Sequence, residues 1–315
     1  MVSLPGPCVA IVGPTASGKS ALAELVACEL GTSVISVDAM QVYRGMDIGT
    51  AKVPPERRRC PLLMVDVADV RDDYSVMLFQ RDARACVDAL LGEGRVPILC
   101  GGTGLYLNAV IDDMRFPAGS SGSEVRGAYE RMLARDGSEA LHALLEERDP
   151  ESARLIHPHN AKRVVRALEM LDEGISYAAH HKGLKRRRPL YDARIWGIET
   201  KRELLYPRIN QRVDEMFDNG LVEEVAALAH RGLAQSRTAS QAIGYKEVLA
   251  ALDGSTSMDE ARELVKRRTR RYAKRQVSWF RNDGRVRWLD TSDLPAAATQ
   301  IVLDLLRSPR STQEA

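Results

Sequence analysis

The period of apolar and polar positions changes along the chain, and the changes mark its parts. Short β-rich runs at residues 9–12, 33–37, 62–67 and 96–100 alternate with helical patterns near 20–29 and 76–91. Strands that alternate with helices predict a parallel sheet with helices on both faces, and ligands on such sheets gather at the carboxyl ends of the strands. The segment 116–123 (FPAGSSGS) interrupts this rhythm. From there to about Met170 the pattern is helical, with Leu141, Leu144, Leu145 and Leu155 on apolar spacing and no strand. Residues 193–198 (ARIWGI) read as a strand returning to the sheet. The rest is helical: 202–219 stopped by Gly220, 221–231 stopped by Gly232, and 258 to about 281. The expected fold is α/β, a P-loop NTPase-like parallel sheet flanked by helices, with an inserted small all-helical subdomain and a helical C-terminal region. The expected boundaries are 1–117 and 190–315 for the core and 118–189 for the insertion.

Bulk properties narrow the functional classes. The 315 residues, 44% of them apolar, suffice for a large core. No run of apolar residues is long enough to span a membrane, and the N-terminus lacks the charged start of a signal peptide, so a cytoplasmic protein is expected. The five cysteines (Cys8, Cys28, Cys60, Cys86 and Cys100) are odd in number and widely spaced, which suits free thiols better than disulfides or a metal site. The net charge of +2 conceals segregation: residues 262–287 carry eleven Lys or Arg against two acids, and 182–188 (KGLKRRR) adds five more. Such density draws a polyanion by counterion release, with nucleic acid the natural candidate.

The chemistry starts at Gly13, Pro14, Thr15, Ala16, Ser17, Gly18, Lys19 and Ser20 (GPTASGKS), a full G-x-x-x-x-G-K-[ST] match between a predicted strand and helix. There the glycines turn backbone N–H groups around phosphate oxygens, the helix N-terminus adds its positive end and Lys19 adds a charge. The Ser20 hydroxyl is placed to hold Mg2+. Kinases, nucleoside triphosphatases and some transferases share this cradle, so the loop alone does not name the ligand. Asp38 ends the second strand and suits a metal, a ribose or a general base, or serves as a turn acid. Gln41 and Tyr43 offer an amide and an aromatic face to a nucleobase, although a core Tyr is as common. A second Gly-rich turn, 101–106 (GGTGLY), brings backbone donors and the Thr103 hydroxyl to a strand end. Arg208 and Arg212 stand at i and i+4 on one helix face, able to clamp phosphate oxygens. In 160–169 (NAKRVVRALE), Lys162, Arg163 and Arg166 interleave with Val164 and Val165. His157, His159, His180 and His181 lack a third ligand at metal spacing and read as loop residues.

Taken together, GPTASGKS, DAMQVYRGMDIGTAK, YSVMLFQRDA, GGTGLYLNAV, HPHNAKRVVRALE, RINQRVDEMFDNGLVEEV, TASQAIGYKE and TRRYAKRQVSWFR resemble the tRNA dimethylallyltransferase family over nearly the whole chain. The resemblance implies attack of adenine N6, at position 37 beside the anticodon, on C1 of dimethylallyl diphosphate with loss of diphosphate. It implies that Asp38 is the general base, and that Lys19, Ser20 with Mg2+, Thr103 and either Arg208 or Arg212 stabilise the leaving group. It further implies that Asp38, Ala39, Met40, Gln41 and Thr103 meet the target nucleotide, that Lys162, Arg163, Val164, Val165 and Arg166 meet the anticodon stem-loop, and that the tRNA's target adenosine is flipped from its stack; a monomer is expected. Ala39 replaces the family's usual Ser, Leu62 and Leu63 replace two adjacent histidines, and the zinc finger of eukaryotic members is absent. A prenyltransferase acting on free adenine nucleotides and a P-loop kinase of a small metabolite are the alternatives. The former needs neither the insertion nor the basic clusters, and the latter leaves GGTGLY and KRVVRALE unused.

Overall fold

Six parallel strands form the core of the computed structural model, which describes residues 6–117, 124–185 and 187–307. In chain order the elements are β1 (Pro7–Val12), α1 (Lys19–Glu29), β2 (Val34–Val37), β3 (Leu62–Leu63), α2 (Val76–Gly92), β4 (Ile98–Gly101) and α3 (Gly104–Ile111). After the insertion come β5 (Asp192–Ile198), with the inserted helices α4 (Glu124–Arg148), α5 (Pro150–Leu155), α6 (Ala161–Asp172) and α7 (Tyr177–Lys185) before it. They are followed by α8 (Arg202–Asp218), α9 (Leu221–His230), α10 (Tyr245–Leu252), α11 (Met258–Arg281), β6 (Val286–Leu289) and α12 (Leu294–Arg307). The sheet order is β3-β2-β4-β1-β5-β6. Hydrophobic layers cover both faces: Leu22, Val26, Ile301 and Val302 pack on one, Phe79, Leu107, Val213 and Phe280 on the other.

Two departures from expectation have local causes. The strand foreseen over 62–67 pairs with β2 only at Leu62 and Leu63, because Met64 and Asp66 take left-handed backbone (φ 61° and 58°) that breaks the pleat. That turn delivers the Asp66 carboxylate to the buried Lys52 ammonium at 2.7 Å, which also meets Asp47 at 2.7 Å. The unforeseen β6 pairs with β5 from Val286 to Leu289. Most of the FPAGSSGS break (118–123) and Arg186 of the basic run lie outside the described residues.

The chain divides into two compact units, one of 1–112 with 189–315 and the other Asp113–Arg188. At the seam of the first, Asp112 pairs with Pro189 in an antiparallel bridge, and the buried Asp112 carboxylate takes two bonds from Arg285 at 2.6 and 3.0 Å. The second unit is all helical, with a break in α4 at Gly137 (φ 85°) and a core of Leu141, Leu145, Ile156, Val164, Val165 and Leu168. Asp149 ties this unit together: it caps α5 through Ser152 N at 3.1 Å and accepts from Ser176 Oγ at 2.8 Å. His180 and His181 lie in α7 rather than a loop. There His181 stacks on Tyr177 four residues earlier, at 5.8 Å, and His180 Nε2 meets the Arg115 carbonyl at 2.9 Å. Among the described residues no cluster of three metal-ligating side chains occurs, and none of the helices is long and apolar enough to cross a membrane.

Candidate active site

Strand register places the site. Val12 of β1 and Val37 of β2 both pair with Gly101 of β4, so β4 stands between the strand that ends in the phosphate loop and the strand that ends in Asp38. Three strand ends therefore open on one cavity of about 460 Å³. Thr15, Lys19, Ser20, Asp38, Thr103 and Arg212 all line it. A second cavity of about 350 Å³ adjoins it along the loop and shares Lys19, Ser20 and Arg212.

The loop has the backbone its sequence requires. Gly18 sits at φ 89° with nothing near a hypothetical Cβ, and Ala16 also takes left-handed backbone at φ 62°. Gly18 precedes α1, so free N–H groups of the first turn face the ligand side. Among the described residues Lys19 Nζ donates only to the Pro14 carbonyl, at 3.3 Å. Burial pushes its ammonium below the ordinary lysine range; Cys100 and Asp38 oppose this, and Arg212 adds to it. Burial likewise lowers Arg212, against the pull of Glu215. The Ser17 hydroxyl is buried with no hydrogen-bond partner among the described residues.

Asp38 serves as a turn acid and also lines the cavity. Its Oδ1 accepts from Met40 N at 2.8 Å and Gln41 N at 3.4 Å, a side-chain turn that fixes the carboxylate. Its Oδ2 has no protein partner among the described residues and belongs to a group that lines the cavity. Thr103 Oγ1 accepts from Ala39 N at 3.4 Å, which joins the turn after β4 to the one after β2. Met40 and Ala39 line the cavity beside it.

Other expected residues land elsewhere. Gln41 lines the cavity, but its amide is a strut: Oε1 accepts from Ser36 Oγ at 2.7 Å and Nε2 donates to Thr50 O at 3.1 Å. Tyr43 is fully buried in the core and offers no face to a base. Arg208 is exposed one turn before Arg212 and does not line either cavity. In the helical unit Val164 and Val165 are core side chains, 0% and 2% exposed, while Arg166 pairs with Glu169 at 2.7 Å. Lys162 and Arg163 are exposed on the first turn of α6, without an ion pair among the described residues. No role follows from the sequence for the apolar wall of the cavity, formed by Ile209, Val213, Met216, Ile243 and Val265, nor for Tyr272 and Gln276. The spacing of Val265, Tyr272 and Gln276 along one stripe of α11 is the signal that could have found the last two.

One further group shapes the wall at 47–51. Glu224 Oε2 accepts from Asp47 N (3.0 Å) and Ile48 N (2.8 Å), and its Oε1 accepts from Gly49 N (3.2 Å) and the Tyr245 hydroxyl (2.6 Å). Glu224→Ala is expected to destabilise the protein by about 2–3 kcal/mol, because several donors lose a charged acceptor together. The urea midpoint measures it, and Glu224→Gln should retain part of the loss.

A parallel α/β core in which a phosphate-binding loop, a fixed carboxylate and a half-buried arginine meet at one partly apolar cavity defines a P-loop protein built to act on a phosphorylated, partly apolar ligand. The sequence family described as IPP transferase matches residues 41–283, and that described as isopentenyl transferase matches 7–58. The chain belongs to the IPP transferase family. It is 48% identical to a tRNA dimethylallyltransferase of Geobacillus kaustophilus, over 92% of each chain. It is 49% identical to one of Kineococcus radiotolerans, over 95% of this chain and 96% of that one. Among solved structures it is similar to the tRNA delta(2)-isopentenylpyrophosphate transferase of Staphylococcus epidermidis, with TM-score 0.71, 37% identity and coverage of 96% of this chain and 100% of that one. A eukaryotic dimethylallyltransferase acting on tRNA gives TM-score 0.78 at 26% identity, covering 98% of this chain and 81% of that one.

Proposed function

We propose that this protein transfers the dimethylallyl group of dimethylallyl diphosphate to N6 of adenosine 37 in the tRNA anticodon loop, releasing diphosphate. The observation that carries the reading is the convergence of Lys19, Ser20, Asp38, Thr103 and Arg212 on one cavity with an apolar wall. The diphosphate lies in the loop, where Ser17 Oγ, the backbone N–H groups of the first turn of α1, and the cations Lys19 and Arg212 receive its oxygens. The prenyl tail suits the wall of Ile209, Val213 and Met216. N6 forms a bond to C1 as the C1–O bond breaks, the electron pair leaves with diphosphate, and Asp38 Oδ2 takes the N6 proton. Lys19 and Arg212 offset the charge that grows on the leaving oxygens.

The donor set fits Mg2+. Ser20 offers an exposed hydroxyl on the cavity, and Mg2+ bound with a diphosphate keeps several waters and needs only one or two protein oxygens. Ser20 would hold it, and the ion would neutralise charge on the diphosphate. The substrate adenosine is stacked in its loop and has to be extruded to reach Asp38, which asks for cations that hold the RNA backbone meanwhile. Lys162 and Arg163 on α6, and Arg267, Arg271 and Lys274 on α11, are the exposed cations this reading assigns to the RNA backbone. It takes the protein as a cytoplasmic monomer.

The test is transfer from radiolabelled dimethylallyl diphosphate, offered in parallel an anticodon stem-loop with adenosine at 37, the same RNA with guanosine there, and free AMP. Label on the first RNA alone is the expected result. Label on AMP would move the protein to the free-nucleotide class, and no label would overturn the reading. A second prediction concerns α11. Arg262, Lys266 and Arg268 pair with Asp214, Asp218, Glu263 and Glu247, and Arg270 bonds Asn210 at 2.6 Å, so these basic residues brace the fold. Changing Arg267, Arg271 and Lys274 together to Gln should therefore reduce the salt slope of RNA binding by about 2 to 3, whereas Arg270→Gln should leave it near the wild-type value. Filter binding across salt concentrations reads both.

A further inference from the structure

Helix α11 carries a polar stripe that faces the loops instead of the solvent. Thr269, Tyr272 and Gln276 all line the larger cavity, and Trp279 follows at the same spacing. Gln276 is the most deeply placed polar member, 4% exposed within a helix otherwise dense in cations. Its Oε1 accepts from Thr15 N of the phosphate loop at 2.9 Å, and its Nε2 donates to the Gly102 carbonyl of the second Gly-rich turn at 3.1 Å. One side-chain amide thus spans both turns that border the reacting groups. Thr103 on the second of these turns accepts from Ala39 N at 3.4 Å, which extends the same contact to the turn holding Asp38.

The chemistry of the contact is restrictive. Thr15 presents a donor and Gly102 an acceptor, and a neutral amide of this length satisfies both in one orientation. A carboxylate would serve Thr15 but repel the Gly102 carbonyl, and an aliphatic side chain would leave both groups without a partner. The approach is also close. A Cβ at Gly102 would fall 2.0 Å from Gln276 Nε2, and one at Gly104 would fall 2.1 Å from the Trp279 ring. The outward side of the same turns of α11 carries Arg271 and Lys274, exposed and without ion pairs among the described residues. Arg275 sits at the cavity with its guanidinium 5.6 Å from the Tyr272 ring.

We propose that Gln276 is a positioning residue through which α11 fixes the phosphate loop and the second Gly-rich turn together, so that RNA held on the outer face of α11 and diphosphate held in the loop strengthen each other's binding. This rests on the proposed prenyl-transfer reading for the identity of both ligands. Gln276 touches neither reacting atom. It sets where Thr15 and Gly102 stand, and through them the loop N–H groups and Thr103. RNA that restrains α11 restrains the amide, and a restrained amide presents a preformed loop. Linkage makes the effect reciprocal.

The experiment measures the Kd of inorganic diphosphate with Mg2+, in the presence and absence of saturating anticodon stem-loop RNA, for wild type, Gln276→Leu and Gln276→Glu. Wild type should bind diphosphate roughly 5- to 50-fold more tightly with RNA present, within the range common for coupled sites. Gln276→Leu should bring that ratio to within about twofold of unity while its Kd for RNA alone stays within about twofold of wild type, a split that general loss of structure would not produce. Gln276→Glu, which keeps the acceptor and the length, should also lose the coupling; it gives an independent reading if the Leu variant folds poorly. Normal RNA binding by wild type with no coupling would overturn this inference alone, as would coupling that survives in either variant. Failure of wild type to bind the stem-loop, or to transfer label to it, would instead overturn the functional reading on which the inference stands.

Discussion

Asp38→Asn is expected to lower kcat by roughly 10² to 10⁴-fold, with the Kd for anticodon stem-loop RNA held within about threefold. The reason for Asn over Ala lies in the turn after β2. Asp38 Oδ1 accepts from Met40 N and Gln41 N, and an Asn carbonyl can accept both, so the backbone that carries Ala39, Met40 and Gln41 keeps its shape. What the change removes is a second oxygen able to take a proton. The adenine amine is a weak nucleophile because its lone pair is delocalised into the ring, so losing the acceptor for its proton falls on the chemical step. Asp38→Ala should cost more than Asn, because it also releases the turn, and should weaken RNA binding in addition. Single-turnover transfer with saturating RNA separates the two: a kcat for Asn within tenfold of wild type would remove Asp38 as the base.

The phosphate loop was legible in the sequence because its chemistry is local. Glycine, lysine and serine at fixed offsets between a strand and a helix determine backbone dihedrals and charge without help from distant residues. The strands β1, β2, β4 and β5 were legible for a similar reason, since buried parallel strands read as continuous apolar runs. Their order was not. Nothing in residues 98–101 announces that β4 inserts between β1 and β2, and that insertion is what puts Thr103 between the loop and Asp38. Strand β6 escaped because it alternates Arg287 with apolar residues inside a basic stretch and reads as the tail of a charged helix. Among the site residues, Arg208 and Arg212 have equal standing in sequence, since i and i+4 share a face. Only the packing of α8 tells that the later residue turns onto the cavity. Val164 and Val165 show the converse, where a motif's apolar members hold the helix in place and its cations are left to meet a ligand.

Gln276 and Glu224 share a cause for being hidden. Gln276 lies among the cations of α11 and Glu224 beside Glu223 in the first turn of α9, contexts in which solvation is the ordinary expectation. Each turns out to serve backbone groups of a loop far away in sequence: Thr15 and Gly102 for one, Asp47, Ile48 and Gly49 for the other. Loops that must adopt one shape around a small ligand need donors and acceptors from outside themselves. The helical C-terminal region therefore does more than cover the sheet. It supplies the side chains that hold the catalytic turns in register, as well as the exposed cations assigned above to RNA.

Lys19→Met is expected to reduce kcat/KM for dimethylallyl diphosphate by roughly 10² to 10³-fold, the scale found when one group that stabilises developing negative charge is lost. It should at the same time raise the thermal unfolding midpoint. The two effects have one origin. Burial holds the Lys19 ammonium below the ordinary lysine range, so the folded protein bears a charge it disfavours, and among the described residues its ammonium donates only to the Pro14 carbonyl, at 3.3 Å. For a base with a lowered folded pKa, that destabilisation is full while both states are protonated and is relieved as pH rises through the folded value. Stability attributable to Lys19 should accordingly increase toward alkaline pH, and the Met variant should lack that increase. Ligand binding runs the other way. Diphosphate favours the charged ammonium and lifts its pKa, so affinity falls as pH rises through the value of the free protein, and binding there takes up a proton at Lys19. Calorimetry of diphosphate binding in buffers of different ionisation enthalpy, with Lys19→Arg as the comparison because its guanidinium does not titrate, isolates that uptake from protons exchanged by diphosphate itself. Wild type should take up more protons than the Arg variant; equal uptake would show that Lys19 stays fully charged in the free protein and that its burial does not govern the loop.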